Sequence, residues 1–202
     1  MTSIDQILQA MRADTVPSGE SGTWIVEKWN LAKGVLGPRD VFVPPGSYTT
    51  LRCATDETVH VGGECVMVDH EAELRTHLAF ILKARGHVLV TGLGLGCVVR
   101  GLLSRPEVEF VDVVEIEQSV IDLVGRYMPT DPRLRIHHAD ALKFDAPGPW
   151  DFAWHDIWCD GNERLAVLHA ELIWNFYARV KPGNQGAWNF PRKFKRVFGI
   201  VA

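Results

Sequence analysis

Three glycines at alternate positions, Gly92, Gly94 and Gly96, follow the apolar run Val88-Leu89-Val90-Thr91, and an acid, Glu115, closes a second apolar run downstream. Glycine has no Cβ, so such a loop can turn sharply and bring its backbone close to a ligand. A helix starting behind the loop would point its free N–H groups at the same ligand. An acid ending the neighbouring strand, about 20 residues on, can accept hydrogen bonds from ribose hydroxyls. The chemistry implied is the holding of a nucleoside-bearing cofactor. Two plainer readings stand beside it: tight strand-to-helix packing for the glycines, and a cap or first-turn acid for Glu115.

A second set of reactive groups surrounds this loop in sequence. Asp156 ends the run Trp150-Asp151-Phe152-Ala153-Trp154-His155-Asp156, and in open α/β sheets ligands bind at the carboxyl ends of strands. Asp156 is therefore placed at a ligand-binding edge, the alternative being a cap on the next helix. His155 alternates to the other side. Trp154 and Trp158 could wall a cationic ligand, or fill a core. Upstream, His70, Glu73 and His77 fall on one helical face. A solvated polar face opposite Leu74, Leu78 and Ile81 is preferred there to a metal site, and His137-His138 reads as half-exposed strand. No metal is expected. Cys53, Cys65, Cys97 and Cys159 show no CxxC spacing, which fits reduced thiols and a cytoplasmic location.

The elements that must position these groups follow from periodicity. Ile4, Ile7, Leu8 and Met11 predict a short amphipathic helix. Strand-like runs at 24–31, 49–54 and 64–69 follow, amid Gly, Pro and Ser punctuation. Residues 1–68 thus form an N-terminal, β-rich appendage. From Asp69 the texture changes to alternating helix and strand, the signature of a parallel sheet. Asp69 is expected to cap a helix closed by Gly86. Strands follow at 87–91, 110–115, 134–136, 150–154 and 186–190, with helices over 118–128 and 165–180. The fold class is α/β, a Rossmann-like doubly wound sheet over 69–202 with a shortened C-terminal edge. A second copy of the chain could complete that edge, so a homo-oligomer is an expectation.

Composition bounds the partners. The chain has 202 residues, is 47% hydrophobic, and carries a net charge of −4, which offers no general attraction for nucleic acid or anionic membrane. A late basic cluster, Arg192, Lys193, Lys195 and Arg196, reads as a solvated face. No apolar run is long enough to span a membrane.

The glycine loop is GxGxG, not the GxGxxG of dinucleotide folds. In order, VLVTGLGLG, VDVVEIE, Ala139-Asp140-Ala141, the run ending at Asp156, and Val180-Lys181-Pro182-Gly183 resemble the motifs of class I S-adenosylmethionine-dependent methyltransferases. The acidic VVEIE strand end, with an upstream segment rich in Asp, His and Glu, is similar to the spermidine-synthase-like branch. The resemblance covers about residues 69–190. It implies that S-adenosyl-L-methionine is the cofactor. Gly92, Gly94 and Gly96 would line its methionine portion, Glu115 the ribose, Ile116 the adenine face, and Asp140 with Ala141 the adenine amino group. It further implies Asp156 as the catalytic group, with Asp69, Glu73, His155 and Trp158 about the substrate. For Asp140, an Asx turn is the plainer reading.

Three functions are carried forward. Methyl transfer to a small molecule or protein side chain leads. Aminopropyl transfer from decarboxylated S-adenosylmethionine is the alternative, motivated by Asp69, Glu73, Asp156 and Asp160 as an acidic amine pocket; the Tyr-His-Glu run of spermidine synthases is absent. A non-catalytic nucleotide-binding module is the third. The Asn/Asp-Pro-Pro-aromatic and Pro-Cys motifs of DNA methylation are also absent, so nucleic acid is not the expected acceptor.

Overall fold

The computed structural model describes residues 2–36, 42–54, 64–145, 148–157, 171–176, 179–181 and 184–188. Helix α1 (Ile4–Met11) begins with a reciprocal cap: the Ser3 hydroxyl accepts from the Gln6 N–H at 3.2 Å, and the Ser3 N–H donates to Gln6 Oε1 at 2.8 Å. Its apolar stripe, Ile7, Leu8 and Met11, is buried. Strands β1 (Gly19–Ser21), β2 (Trp24–Leu31), β5 (Gly46–Cys53) and β6 (Glu64–Val68) form an antiparallel sheet in the order β1-β2-β5-β6. A small hairpin, β3 (Val35–Leu36) with β4 (Phe42–Val43), lies apart from it.

The remainder alternates as its periodicity predicts: α2 (Glu71–Lys83), β7 (Gly86–Thr91), α3 (Cys97–Leu103), β8 (Val108–Glu115), α4 (Gln118–Leu123), β9 (Leu134–His138), β10 (Phe152–His155) and β11 (Gln185–Ala187). The second sheet is parallel throughout, in the order β11-β10-β7-β8-β9. First strand at the centre, second and third on one side and fourth and fifth on the other: this is the Rossmann-like order, with the strand-order reversal between β7 and β10. That reversal opens a crevice at the carboxyl ends of the strands, where the glycine loop and Asp156 both emerge.

The central strand is apolar on both faces. Val88 and Val90 join a core that includes Ile7, Met11, Val26, Leu51, Leu74, Val98 and Leu102. Leu89 faces a second core with Val114, Trp150, Ala153, Leu172 and Phe176. The N-terminal elements therefore share one apolar core with the α2 and α3 side of the parallel sheet.

Three local details differ from the sequence reading. The cap of α2 is His70, whose Nδ1 accepts from the Glu73 N–H at 3.1 Å. Asp69 is already engaged: one carboxylate oxygen accepts from Ala13 N–H at 3.0 Å and the other from Thr49 N–H at 2.7 Å. The helix expected over 118–128 stops at Leu123 and gives way to one 3₁₀ turn at Gly125–Tyr127, because a glycine interior weakens a helix. Of the helix expected over 165–180, residues 171–176 are helical; 158–170 lie outside the described residues, as do 189–202 with the basic cluster.

Candidate active site

The glycine loop leaves β7 with Gly92, Gly94 and Gly96 at φ of 91°, 52° and 75°, a region that side chains with a Cβ rarely enter. Gly92 is also a close approach: a Cβ there would overlap the carbonyl oxygen of Asp156. The Gly92 N–H is bonded to the Val114 carbonyl at 2.8 Å, and the Asp156 N–H to the Thr91 carbonyl at 2.8 Å. Loop and strand ends are thereby locked together across the crevice.

Glu115 ends β8 and is buried, yet both oxygens are used. Oε2 accepts from the Leu93 N–H of the glycine loop at 2.8 Å and Oε1 from the Glu117 N–H at 2.9 Å. Burial pushes its pKa up, and these backbone donors oppose the shift. Each carboxylate oxygen keeps a second lone pair for a ligand hydroxyl. Ile116, next in the chain, is 56% exposed, an apolar surface at the rim suited to a base ring. Asp140 forms the Asx turn: Oδ1 accepts from the Leu142 N–H at 2.9 Å, and Oδ2 pairs with Lys143 at 3.2 Å. Ala141 beneath it is buried. The glycine cradle, Glu115 and Ile116 are thus of the right kind and order for an adenosyl group.

Beside the loop lies a cavity of about 40 Å³, lined by Val66, Met67, Glu73, Trp154, Asp156 and Trp188 among others. That is room for about one water. Met67 reaches it from β6, its thioether accepting from the Leu95 N–H at 3.3 Å and lying where a Cβ on Gly94 would touch it. A larger ligand has to displace this flexible side chain.

Two acids face this cavity. Burial raises Glu73 from 4.5 to about 8, opposed by the Val68 N–H and reinforced by the charges of Asp156 and Asp69. Burial raises Asp156 to about 7, opposed by the Trp154 N–H and reinforced by Glu115. Ionising both acids in a desolvated site is costly, so near neutral pH Glu73 keeps its proton and Asp156 is close to half ionised. Among the described residues that line the cavity, none is cationic.

The other expected site residues are placed differently. Asp69 is buried and spends its carboxylate on the Ala13 and Thr49 amides, with Arg12 Nε 3.4 Å away; it joins α1, β5 and α2 rather than meeting a substrate. His155 is also buried, between Thr91 Oγ1 and Gln185 Oε1, each at 3.0 Å. Because the Gln185 amide nitrogen donates to the Ile173 and Val180 carbonyls, its oxygen faces the ring. His155 Nε2 is therefore the donor, and Nδ1 accepts from Thr91. It is a strut of the sheet, turned away from the crevice. Trp158 and Asp160 lie outside the described residues. The expected solvated face of α2 is instead a buried one: His77 has no exposed surface, and burial lowers its pKa to about 4. Met67, Trp188 and Val66 escaped the sequence reading, since only strand pairing brings β6 and β11 to the loop.

No family model matches the chain. A polyamine aminopropyltransferase of Alkaliphilus oremlandii is 41% identical over 79 residues, 36% of this chain and 28% of that one. A spermine synthase of Arabidopsis thaliana is 33% identical over 121 residues, 55% of this chain and 34% of that one. The chain thus spans about a third of the length of these curated relatives. A solved spermidine synthase in complex with the transition-state analogue AdoDATO superposes with a TM-score of 0.50 at 19% identity, covering 83% of this chain and 55% of that one. Sheet order and superposition agree: this chain has the Rossmann-like fold of the solved spermidine synthase.

Proposed function

We propose that the chain carries the site of a transferase that takes decarboxylated S-adenosylmethionine and passes its aminopropyl group to an amine of the polyamine class. The observation that carries this reading is the pair Glu73 and Asp156, two half-buried acids that line the cavity beside the glycine loop with no cation among the described lining residues. A carboxylate-bearing donor tail would add a third negative group to this site. An ammonium tail or an amine acceptor would let both acids ionise, which relieves the cost that raises their pKa values. The sequence relatives bearing the aminopropyltransferase name support the same choice. They favour it over methyl transfer, with which the motif order alone led.

The cofactor, when bound, would supply a carbon made electrophilic by the adjoining sulfonium. The chain's own groups do the rest by alignment and water exclusion. Glu115, fixed by two backbone donors, would hold the ribose, and Ile116 would flank the base. Glu73 would pair with one ammonium. Asp156, titrating near 7, would take the proton that an attacking amine must lose, the range in which a general base works best at neutral pH.

Parallel calorimetry with decarboxylated S-adenosylmethionine, S-adenosylmethionine, S-adenosylhomocysteine and NAD tests this. Tighter binding of the decarboxylated form, followed by turnover with an aliphatic diamine, is expected. Preference for S-adenosylmethionine and S-adenosylhomocysteine would overturn it in favour of methyl transfer. Binding of NAD alone, or of none, would overturn the cofactor reading altogether.

A further inference from the structure

Strand side chains alternate between faces, so Trp154 and Asp156, two residues apart, emerge on the same side of the sheet and line the same cavity. Trp154 is 4% exposed. Its ring meets His77 edge-on at 5.4 Å and Phe80 at 5.0 Å. Opposite, Gly186 leaves the space that the six-membered ring takes, a Cβ there coming within 2.9 Å of it. Three neighbours on two elements, α2 and β11, thus fix the ring and with it the direction of its N–H.

That N–H makes no hydrogen bond. An indole nitrogen can only donate, and a buried donor without an acceptor is costly enough that native proteins rarely keep one. Its persistence at a cavity wall marks a place where an acceptor arrives. The Asp156 carboxyl is within its influence: the Trp154 N–H favours the charged form, against burial and against Glu115.

We propose that Trp154 is a positioning residue, whose indole N–H takes the ionised carboxylate of Asp156 as its acceptor and so fixes that carboxylate toward the cavity. This rests on Asp156 being the acceptor-facing group of the proposed function. The titratable groups around it among the described residues are Glu73 on α2 and Glu115 on β8, with Asp69 acting on Glu73. His77 lies behind the Trp154 ring and His155 on the opposite face, both held neutral by burial near neutral pH.

The test is NMR on the full chain, following the Trp154 indole N–H and the ¹³C-labelled Asp156 carboxyl across the titration of Asp156. The indole proton is expected to move downfield as Asp156 ionises and to lose that pH dependence in Asp156→Asn. In Trp154→Phe, which keeps an aromatic ring but no donor, the Asp156 midpoint is expected to rise by about half a unit or more, roughly a threefold change in proton affinity. An unmoved midpoint in a folded Trp154→Phe, or an indole signal following the same course in Asp156→Asn, would overturn the proposal. If Trp154→Phe does not fold, the comparison of the native chain with Asp156→Asn decides alone. The readout needs no turnover, so a failed cofactor titration would remove the proposed function and leave this result standing.

Discussion

Replacing Glu73 by glutamine should flatten the dependence of stability on pH. Glu73 titrates at about 8 in the folded chain against 4.5 for an ordinary glutamate, chiefly through burial. Between those two values the folded state keeps a proton that the unfolded state has released, so stability falls as pH rises, by about 1.4 kcal/mol per unit. Carried through the whole interval, the loss approaches about 4–5 kcal/mol, a large share of the stability of an ordinary domain. Glutamine has no proton to lose and is nearly isosteric. Glu73→Gln should therefore match the native chain within about 1 kcal/mol near the acid end of this window and exceed it by several kcal/mol above its alkaline end. Asp156, raised to about 7 chiefly by burial, leaves a residual slope in the variant over the narrower interval between its ordinary and its folded value. Urea unfolding followed by tryptophan fluorescence across the window gives the curves directly. Parallel curves for the two proteins would show that Glu73 is well solvated and would remove the basis of the acid-pair argument.

Three further outcomes are expected. Asp156→Asn should abolish turnover while leaving cofactor affinity within about twofold, as read by calorimetry, because the proposed cofactor-facing set is Glu115, Ile116 and the loop. Gly92→Ala should cost about 1–3 kcal/mol or more and weaken cofactor binding, since φ is 91° and the added methyl overlaps the Asp156 carbonyl; a melting temperature equal to the native one would contradict this. Asp69→Asn should destabilise by about 2–4 kcal/mol with no specific effect on ligand affinity, because it presents a donor to the Ala13 and Thr49 amides and removes the buried charge beside Arg12, which keeps Asp14. A selective loss of affinity without loss of stability would return Asp69 to the substrate site.

Much of the architecture was legible in the residues because local rules act within a few positions. The apolar stripe of α1, the βα alternation after α2, the three glycines and the acid at the end of β8 all declare themselves through spacing, whereas the strand order is a finding of the structure. Asp156 at a strand's carboxyl end was readable for the same reason. What the residues did not declare was which polar groups face the crevice. Asp69, Glu73, His77 and His155 are alike in sequence as polar residues near the loop. The first is consumed by amides of α1's C-terminal turn and β5, and the last by Thr91 and Gln185. His77 was expected in solvent, yet α2 turns that residue onto β10, where it is buried against Trp154. Met67 entered the site from a strand whose register is set by pairing with β5. Sequence alone determined the fold and the glycine loop, since these depend on backbone conformation and on short-range periodicity. Only the tertiary structure decided which acids line the cavity, because burial and hydrogen-bond partners come from residues tens of positions away.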